Sequence, residues 1–423
     1  MKKTLPLFFL LLPFIVTAQL YTVNNAMEYE DKANPTMEIF LTGAPTVTIT
    51  YNGMANPPYQ WYEFDSSGNS RLINGATSGT LTNAESDKGY YLSTDGNPTG
   101  KYVWIVDYSK ETSQFETLTV PEESAGCDYV SLLFTDKAPD AYYYTPAGIA
   151  VPILRKYGVT YQTVNTEDYT TIEVTEELPA SKRIPAPLTD TSFKVFDMYA
   201  QQLDIEVSID SETYRAIAVH ASATEEIEAR EADNEISGEA GTYSAPMRAT
   251  FTASSNEPVA AFFVWTVYKT DQSETDPIIR YTDKTLRHTF EESGTYRVSL
   301  DVSDRTSQCF YPTISFEYQI VESFIEVPNA FSPGASPGVN DEFKVAYRSL
   351  SKFKAVIINR WGQKLFEWTD PAQGWDGRFG GKLVPSGVYF YIIEWEGADG
   401  RKGVKKGDIN ILGGRNAAEK TKN

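Results

Sequence analysis

Short apolar runs separated by turn-forming residues constrain the fold of this chain more than any other feature. Runs of about five to seven apolar or alternating residues recur along the chain, with Gly, Pro, Asn and Asp between them. No long segment keeps an apolar period of 3.6 residues, so helix should be scarce. Aromatic residues make up 13% of the chain, with 27 Tyr, which also favours strands. We therefore predict an all-β protein of tandem antiparallel β-sandwich modules.

An ordered series of short motifs lies near the C-terminus. Its members are Asn340, Asp341 and Phe343; Asn359, Arg360, Trp361 and Gly362; Gly374, Trp375, Asp376 and Gly377; and Ser386, Gly387 and Tyr389. This series resembles the gliding-motility-associated C-terminal domain, the type B sorting domain of the type IX secretion system in Bacteroidetes. The resemblance implies a small β-sandwich at residues 326–414 that directs export, with the type IX secretion machinery as its partner.

Two details of this C-terminal domain lead to further expectations. Its opening loop, Ser332–Gly338, lacks the Asp that the family commonly carries there, so we assign no ion to the loop. The segment Val388–Ile393 is apolar at successive positions, so we expect this strand to be covered on both faces.

A second motif series precedes that domain. Its residues are Trp265, Phe290, Gly294, Tyr296 and Val298. The series resembles the PKD domain, a sandwich found as an extracellular spacer or adhesion module, and we place it at residues 244–325. Gly294 permits a tight turn, Tyr296 stands where a tyrosine corner would close the sandwich, and Val298, Leu300 and Val302 alternate into the core.

Charge divides the chain unevenly. The formal net charge is −20, but residues 326–423 carry 15 basic and 11 acidic side chains, a net of +4, which leaves −24 for the rest. So acidic a chain is a poor partner for nucleic acid, whose phosphates need Lys and Arg. The contrast suits a C-terminal domain recognised separately by an export machine, although two unrelated domains would differ in the same way.

The N-terminus has the pattern of a secretory signal peptide at residues 1–18. Lys2 and Lys3 precede an apolar segment, and a small-residue cleavage site lies between Ala18 and Gln19. We expect no transmembrane span in the mature chain, since no later stretch is long and apolar enough. A polar tail at 415–423 is expected to be disordered.

Two Ig-like β-sandwiches are predicted at residues 19–113 and 114–222. In the first, Thr46–Tyr51 and Tyr59–Phe64 alternate on either side of an Asn52-Gly53 turn, and Trp61 is the expected core tryptophan. In the second, strands are expected at Cys127–Phe134, Ile149–Leu154, Thr170–Val174, Ser192–Phe196 and Tyr214–Val219. The run Tyr142-Tyr143-Tyr144 is interpreted as a strand with alternate rings in the core, and its alternative is a stacking platform for sugar.

The segment at residues 223–243 is strongly acidic. It could form one short helix capped by Thr224, or an extended solvated connector. It lacks the alternating Asp/Asn spacing of a calcium loop. We favour a solvated linker.

The two cysteines, Cys127 and Cys309, fall in different predicted domains. A single bridge between domains is one option in an oxidising compartment. We expect two buried free thiols instead, because free cysteine is among the most buried residue types.

Few residues in the chain suggest catalysis. The only histidines are His220 and His288, in separate modules, and no nucleophile, phosphate-binding or zinc motif is present. We therefore predict no catalytic residues, cofactor or metal. The predicted function is that of a secreted or cell-surface, non-catalytic modular protein in adhesion, structure or interaction, with surface glycans or other cell-surface proteins as partners. The alternatives are a protein that binds surface glycans and, third, a carboxylate-dependent extracellular hydrolase.

Overall fold

The computed structural model describes residues 19–412 except 96, 230, 231, 237, 273, 274, 336 and 337. The predicted signal peptide at 1–18, including Ala18, and the predicted tail at 415–423 lie outside the described residues. The chain forms two compact units, each considered separately below. Unit 1 comprises the chain up to Thr163 together with Thr171–Ala216, and unit 2 comprises Val164–Thr170 together with the chain from Ile217.

The first part of unit 1 is a sandwich of two sheets with strand orders β1-β4-β7 and β2-β3-β9-β8-β5-β6. Its strands are β1 (Tyr21–Val23), β2 (Ala26–Tyr29), β3 (Met37–Thr42), β4 (Thr46–Tyr51), β5 (Gln60–Phe64), β6 (Ser70–Leu72), β7 (Thr80–Glu85), β8 (Lys88–Ser93) and β9 (Tyr102–Asp107). Trp61 is fully buried between the sheets, as predicted. The strands on either side of Asn52-Gly53 lie in different sheets, so this turn joins the two layers and does not close a hairpin.

The second part of unit 1 contains several small sheets, with orders β10-β12, β11-β17, β13-β14 and β16-β15-β18-β19. Its elements are β10 (Phe115–Thr119), β11 (Tyr129–Ser131), β12 (Leu133–Asp136), β13 (Ala141–Tyr144), β14 (Ala150–Ile153), β15 (Tyr157–Val164), β16 (Thr171–Glu177), β17 (Arg183–Pro185), β18 (Lys194–Asp197), α1 (Met198–Gln202) and β19 (Ser208–Asp210). Two strand predictions are wrong here. Cys127–Phe134 is divided between two sheets, and Tyr214–Val219 forms no strand, although Tyr214 pairs with Thr191 in an isolated bridge.

The two parts of unit 1 share a hydrophobic core. The six-stranded sheet is buried on both faces, because the β13–β14 hairpin and α1 cover the face that points away from its own sandwich. Tyr143 is fully buried in this second core, whereas Tyr142 on the opposite side of β13 is exposed. The predicted alternation of the tyrosine run is therefore confirmed, and its buried ring fixes one part of the unit to the other.

A buried carboxylate reinforces this shared core. Asp197 is only 1% exposed. It caps α1 through the backbone N–H groups of Tyr199 (3.0 Å) and Ala200 (3.2 Å). It also accepts hydrogen bonds from the Tyr108 hydroxyl (2.9 Å) and from the Ser113 backbone N–H (3.0 Å) and hydroxyl (2.9 Å). The carboxylate thus joins groups from both parts of the unit, which satisfies the polar atoms that burial removes from water.

The first sandwich of unit 2 has sheets of order β20-β22-β25 and β21-β27-β26-β23-β24. Its strands are β20 (Ala221–Ile227), β21 (Thr242–Tyr243), β22 (Met247–Ser255), β23 (Ala260–Lys269), β24 (Ile279–Tyr281), β25 (Thr285–Phe290), β26 (Gly294–Asp304) and β27 (Phe310–Ile320). The preference for a solvated linker at 223–243 is wrong for its first residues. Those up to Ile227 belong to β20, which pairs with β22 along seven residues. An edge strand tolerates this acidic sequence because its outward side chains remain in water.

The second sandwich of unit 2 is built on a five-stranded sheet of order β29-β36-β35-β31-β32, with two short pairs, β28-β30 and β33-β34. Its strands are β28 (Phe324–Glu326), β29 (Ala330–Phe331), β30 (Ala346–Arg348), β31 (Leu350–Ile358), β32 (Lys364–Trp368), β33 (Arg378–Phe379), β34 (Lys382–Leu383), β35 (Gly387–Gly397) and β36 (Lys402–Ile411). With this sheet the predicted fold class, tandem antiparallel β-sandwiches with little helix, is confirmed.

The cysteine prediction is wrong. Cys127 and Cys309 are both disulfide-bonded, so neither is a free thiol. Cys309 is buried, but Cys127 lies exposed at the surface. Disulfides persist in oxidising compartments, and the pairing therefore agrees with a protein that functions outside the cytoplasm.

Candidate functional site in the C-terminal domain

The buried centre of the C-terminal domain is built from motif residues. Phe343 and Trp375 are fully buried and face each other in an isolated antiparallel bridge, with backbone N–H to O distances of 2.8 and 3.1 Å. The Trp375 indole packs against Phe331 and Tyr389 and donates a hydrogen bond to the Arg378 carbonyl, 2.9 Å. Burying an indole with its N–H paired stabilises the fold without leaving a polar atom unsatisfied. These motif residues therefore serve the fold of the domain.

The glycine that precedes Trp375 is required by this bridge. A side chain at Gly374 would place its Cβ 2.9 Å from the Phe343 carbonyl oxygen, so only glycine lets the two backbones pair. In the same turn Asp376 accepts a hydrogen bond from the Arg378 backbone, 3.0 Å, and Gly377 follows it. Ser386 is exposed just before β35, which begins at Gly387.

Tyr389 closes one end of the sandwich. Its hydroxyl donates to the Pro385 carbonyl, four residues upstream, at 2.8 Å, and burial raises the pKa of this phenol. The PKD-like motif uses the same device, since the Tyr296 hydroxyl donates to the Glu292 carbonyl at 2.9 Å. Around it Trp265, Phe290 and Val298 are buried in one core, and Gly294 begins β26 with a φ of +139°. This burial agrees with the expected corner position of Tyr296 and with the expected alternation of Val298, Leu300 and Val302 into the core.

Asp341 organises the opening loop of the C-terminal domain. Its carboxylate accepts hydrogen bonds from the backbone N–H groups of Gly334 (2.9 Å) and Gly338 (2.5 Å). Asn340 has a φ of +57°, and its carbonyl accepts from the Ser332 N–H at 2.8 Å. Both groups therefore hold the backbone of the loop.

The next motif forms a hairpin tip between β31 and β32. Asn359 accepts hydrogen bonds from the backbone N–H groups of Trp361 and Gln363, both at 3.0 Å, which fixes the turn. Gly362 completes the turn with a φ of +80°, a conformation that favours glycine. Trp361 itself is 75% exposed, and the Arg360 guanidinium lies 4.2 Å from the centre of its ring. This motif thus differs from the others, because its two large side chains are presented to solvent.

The expectation that Val388–Ile393 is covered on both faces is wrong. Val388 is 49% exposed and Phe390 is 39% exposed, whereas Tyr389 and Ile393 are buried on the other face. The C-terminal sheet is therefore covered on one face only within this domain, and apolar side chains remain on its outer face.

The last part of the predicted linker contacts the C-terminal domain. Glu235 and Tyr347 form a parallel β-bridge, and the Ile236 N–H donates to the Tyr347 carbonyl at 2.8 Å. The Asn234 side-chain amide donates to the carbonyls of Val345 (2.8 Å) and Pro371 (2.7 Å). This strap, defined as residues 232–236, is a structural part of the C-terminal domain although it precedes the domain by some ninety residues. Nothing in its sequence indicates the pairing.

Two further polar groups hold the domains of unit 2 together. Ser349 is fully buried and exchanges hydrogen bonds with Ser244, Ala245 and Val321. Asp399 accepts hydrogen bonds from the Ser323 N–H and hydroxyl, both at 2.9 Å, and from Arg401 Nε at 2.7 Å. Burial alone would raise the pKa of this carboxyl, but these donors outweigh it and lower the pKa to about 2. Sequence reasoning missed both residues, because the contacts that join them to the preceding domain, with Ser244 and Ser323, come from residues distant in the chain.

Other candidate residues lie at separate places. His220 packs against Tyr169 and Tyr311, and His288 packs against Phe290. Burial lowers the pKa of both imidazoles. Within the described residues, no group of three or more His, Cys, Asp or Glu side chains is arranged to hold a metal ion. No helix in the same part of the chain is both long and apolar enough to cross a membrane.

Comparison with known proteins identifies two domain families. Residues 325–411 match the CHU_C type IX secretion signal domain, and residues 119–211 match a fibronectin type III domain, Fn3_FA. The second match refines the Ig-like prediction for residues 114–222. No curated protein matches the chain significantly.

Several solved structures resemble the chain over most of its length, but with low TM-scores. A tetra-tandem repeat from the extending region of a large adhesion protein is 12% identical, with 87% of this chain and 96% of that chain covered and a TM-score of 0.22. The four N-terminal Ig domains of Dscam1 isoform 6.44 are also 12% identical, with 90% and 97% covered and a TM-score of 0.24. Similarity at this level does not bear on function. The two domain matches are more informative. They identify residues 325–411 as a CHU_C type IX secretion signal domain, in a modular β protein with a fibronectin type III domain upstream.

Proposed function

We propose that residues 325–411 direct this protein through the type IX secretion system and that the modules before them act at the cell surface or outside the cell as a non-catalytic adhesion or interaction protein. The observation that carries the proposal is the match of the C-terminal domain to a secretion signal, joined to upstream modules of the fibronectin type III and sandwich type. In the proposed route, the signal peptide at 1–18 brings the chain to the periplasm and the C-terminal domain is recognised there.

The architecture of the upstream modules supports a binding role. Small sandwiches present loops and sheet faces on a rigid scaffold, and the buried Tyr143 and Asp197 lock the two parts of unit 1 against each other. A rigid pair of modules loses little conformational entropy when it binds a partner, which favours recognition by an extended surface. That such modules bind rather than catalyse is an argument from fold alone.

Cell attachment tests the proposed role outside the cell. Cells that produce the full chain should attach to their natural surfaces, or to one another, more than cells in which the gene is deleted. Complementation with the full chain should restore attachment. Equal attachment by the two strains, with the protein detected on the complemented cells, would contradict the adhesion role and leave an interaction with a soluble partner to be tested.

A glycan array separates the alternative of sugar binding from protein-mediated adhesion. Exposed aromatic rings are the usual platforms for sugar, and in unit 1 the exposed Tyr129 already has the Arg183 guanidinium 4.5 Å from its ring centre. We therefore expect no glycan on the array to bind the exported modules. Specific binding that is lost in Tyr142→Ala, the other exposed tyrosine of this region, would favour the glycan-binding alternative.

A further inference from the structure

The outer face of the C-terminal sheet carries an uncovered group of apolar side chains. Cross-strand register places Val356 opposite Ile392 and Ile358 opposite Phe390, and Val388 lies two residues before Phe390 on the same face. Val388 and Phe390 are exposed, and the other three are partly exposed. We call these five residues the outer patch. Contiguous apolar side chains on an otherwise polar surface commonly mark a site of protein interaction.

The exposed hairpin tip begins where the outer patch ends. Ile358 is the last residue of β31, and Asn359–Gly362 follows it directly. Hydrogen bonds that the Asn359 side chain accepts from the Trp361 and Gln363 N–H groups fix the backbone of the tip, so Trp361 is displayed on a rigid turn. Neither the bridge of Phe343 with Trp375 nor any other core contact described above uses the indole of Trp361. Trp and Arg are the residues most enriched among the side chains that dominate binding at protein interfaces.

Charges around the patch indicate the chemistry of its partner. Lys352 and Lys402 pair with Glu396 at the far end of the sheet, and Lys354 and Lys364 pair with Glu367, which stands opposite Val356 of the outer patch. In contrast, no carboxylate among the described residues lies within ion-pair distance of Arg360 or of Lys406, which stands opposite Ile392. Asp408 stands opposite Phe390, and Glu394 lies two residues beyond Ile392, so the charges beside the outer patch are mixed. At the hairpin tip, Arg360 is an exposed cation with no ion-pair partner among the described residues. A complementary surface would therefore be apolar at its centre and place a carboxylate beside Arg360.

We propose that Trp361, Arg360 and the outer patch form the surface by which this domain docks on the export machinery, in an apolar groove with a carboxylate placed to meet Arg360. This inference rests on the proposed function and names the face of the signal domain that is read. Trp361 would fill the groove, and Arg360 would pair with a carboxylate at its rim.

Export of full-length variants in the producing organism tests this docking surface. Trp361→Ala should lower the fraction of protein outside the outer membrane about tenfold or more and leave the protein in the periplasm, since truncation of such anchors often weakens binding by well over tenfold. Arg360→Glu should reduce export as well, whereas Trp361→Phe and Arg360→Lys should retain most of it. Because both side chains are solvent-exposed, the unfolding midpoint of each purified variant should equal that of the parent.

Phe379→Ala provides a matched control. Phe379 is 45% exposed in the same domain but lies on β33, which belongs to a separate two-stranded sheet, so its removal should leave export unchanged. If Trp361→Ala is exported normally while a chain truncated after residue 325 stays in the periplasm, the docking surface is wrong. The proposed function would still hold in that case. Export of the truncated chain would instead overturn the proposed function. A purified parent protein that is dimeric, and becomes monomeric in Trp361→Ala, would show that the face binds a second copy and would also overturn the docking surface.

Discussion

At the scale of single residues, Asp399 links the last two domains of unit 2. Its carboxylate accepts hydrogen bonds from Ser323 and Arg401, which hold its pKa at about 2, below the ordinary value of 3.8. A carboxyl group with a lowered pKa in the folded state stabilises that state above its unfolded pKa, and this stabilisation is lost as the pH falls through the folded pKa. The contribution should therefore be complete above about pH 4 and lost towards pH 2.

Replacement of this carboxylate gives a testable pH dependence. Asp399→Asn should lower the free energy of unfolding at pH 7 by about 1–3 kcal/mol, because donors that faced the carboxylate lose their acceptor. Below about pH 4 the difference between parent and variant should shrink. Denaturant unfolding followed by tryptophan fluorescence at pH 7, 4 and 2.5 measures both effects. The exposed Asp408→Asn in the same domain serves as a control, and an Asp399→Asn deficit that stays constant with pH would contradict the argument.

The buried Asp197 plays the corresponding part in unit 1. Its two oxygens receive hydrogen bonds from Tyr108, Ser113 and the first turn of α1. Asp197→Ala should lower the free energy of unfolding by about 3 kcal/mol, since several buried donors lose their acceptor together. Asp210→Ala, an exposed change on the neighbouring strand β19, should alter it by less than about 0.5 kcal/mol. Equal effects of the two substitutions, measured by urea unfolding, would show that the network does not hold the unit together.

At the scale of elements, the strap at residues 232–236 adds to the signal domain a segment that lies outside residues 325–411. Asn234 donates to two backbone carbonyls of the C-terminal domain, and its neighbour Asp233 only reaches Lys344 at 3.3 Å on the surface. Asn234→Ala should therefore destabilise unit 2 by about 1–3 kcal/mol, because it leaves partly buried carbonyls without a donor. Asp233→Ala should change stability by about 0.5 kcal/mol or less, as is usual for exposed ion pairs. The denaturant midpoints of the two variants measure both effects. Equal midpoints would show that Asn234 contributes no more to stability than the surface ion pair of Asp233.

Local patterns in the sequence predicted most strands but not their partners. Alternation placed Thr46–Tyr51 in β4 without error. Pairing depends on residues far apart in the chain, so the sequence could not show that residues 221–227 join β22 or that the β13–β14 hairpin covers the first sandwich. The same reason explains the wrong prediction of free thiols, since composition alone does not reveal whether a cysteine is disulfide-bonded.

The candidate site was predicted by residue but not by role. Phe343, Trp375 and Tyr389 prove to be core residues, and Asn340, Asp341 and Asn359 hold turns. Trp361 belongs to the same series but is exposed, a difference that no periodicity in the sequence reveals. The outer patch was missed because an apolar strand was expected to be covered on both faces, and β35 instead leaves Val388 and Phe390 open to solvent.

At the scale of the whole molecule, the redox state of the cysteines follows from an oxidising destination. The exported protein, unfolded in guanidinium without reductant, should contain no thiol that reacts with Ellman's reagent, because Cys127 and Cys309 are both disulfide-bonded. After reduction it should contain two. Detection of two thiols before reduction would contradict the disulfide, and replacement of both cysteines by serine supplies the baseline for the assay.

We infer that the C-terminal domain determines the destination of the whole molecule. It stands apart electrostatically, with a net charge of +4 for residues 326–423 against −24 for the rest. Its sequence from 325 to 411 matches a type IX secretion signal, and its structure is a separate sandwich with its own core.

Surface proteolysis of intact cells tests that claim most directly, with the full chain compared to a chain that ends at residue 325. Protease added outside should degrade the full chain, or the full chain should be found in the medium, whereas the truncated chain should stay protected in the periplasm. A periplasmic marker protein controls for leakage. A truncated chain that is soluble in the periplasmic fraction yet absent from the surface supports the claim, and a truncated chain that still reaches the surface or the medium contradicts it.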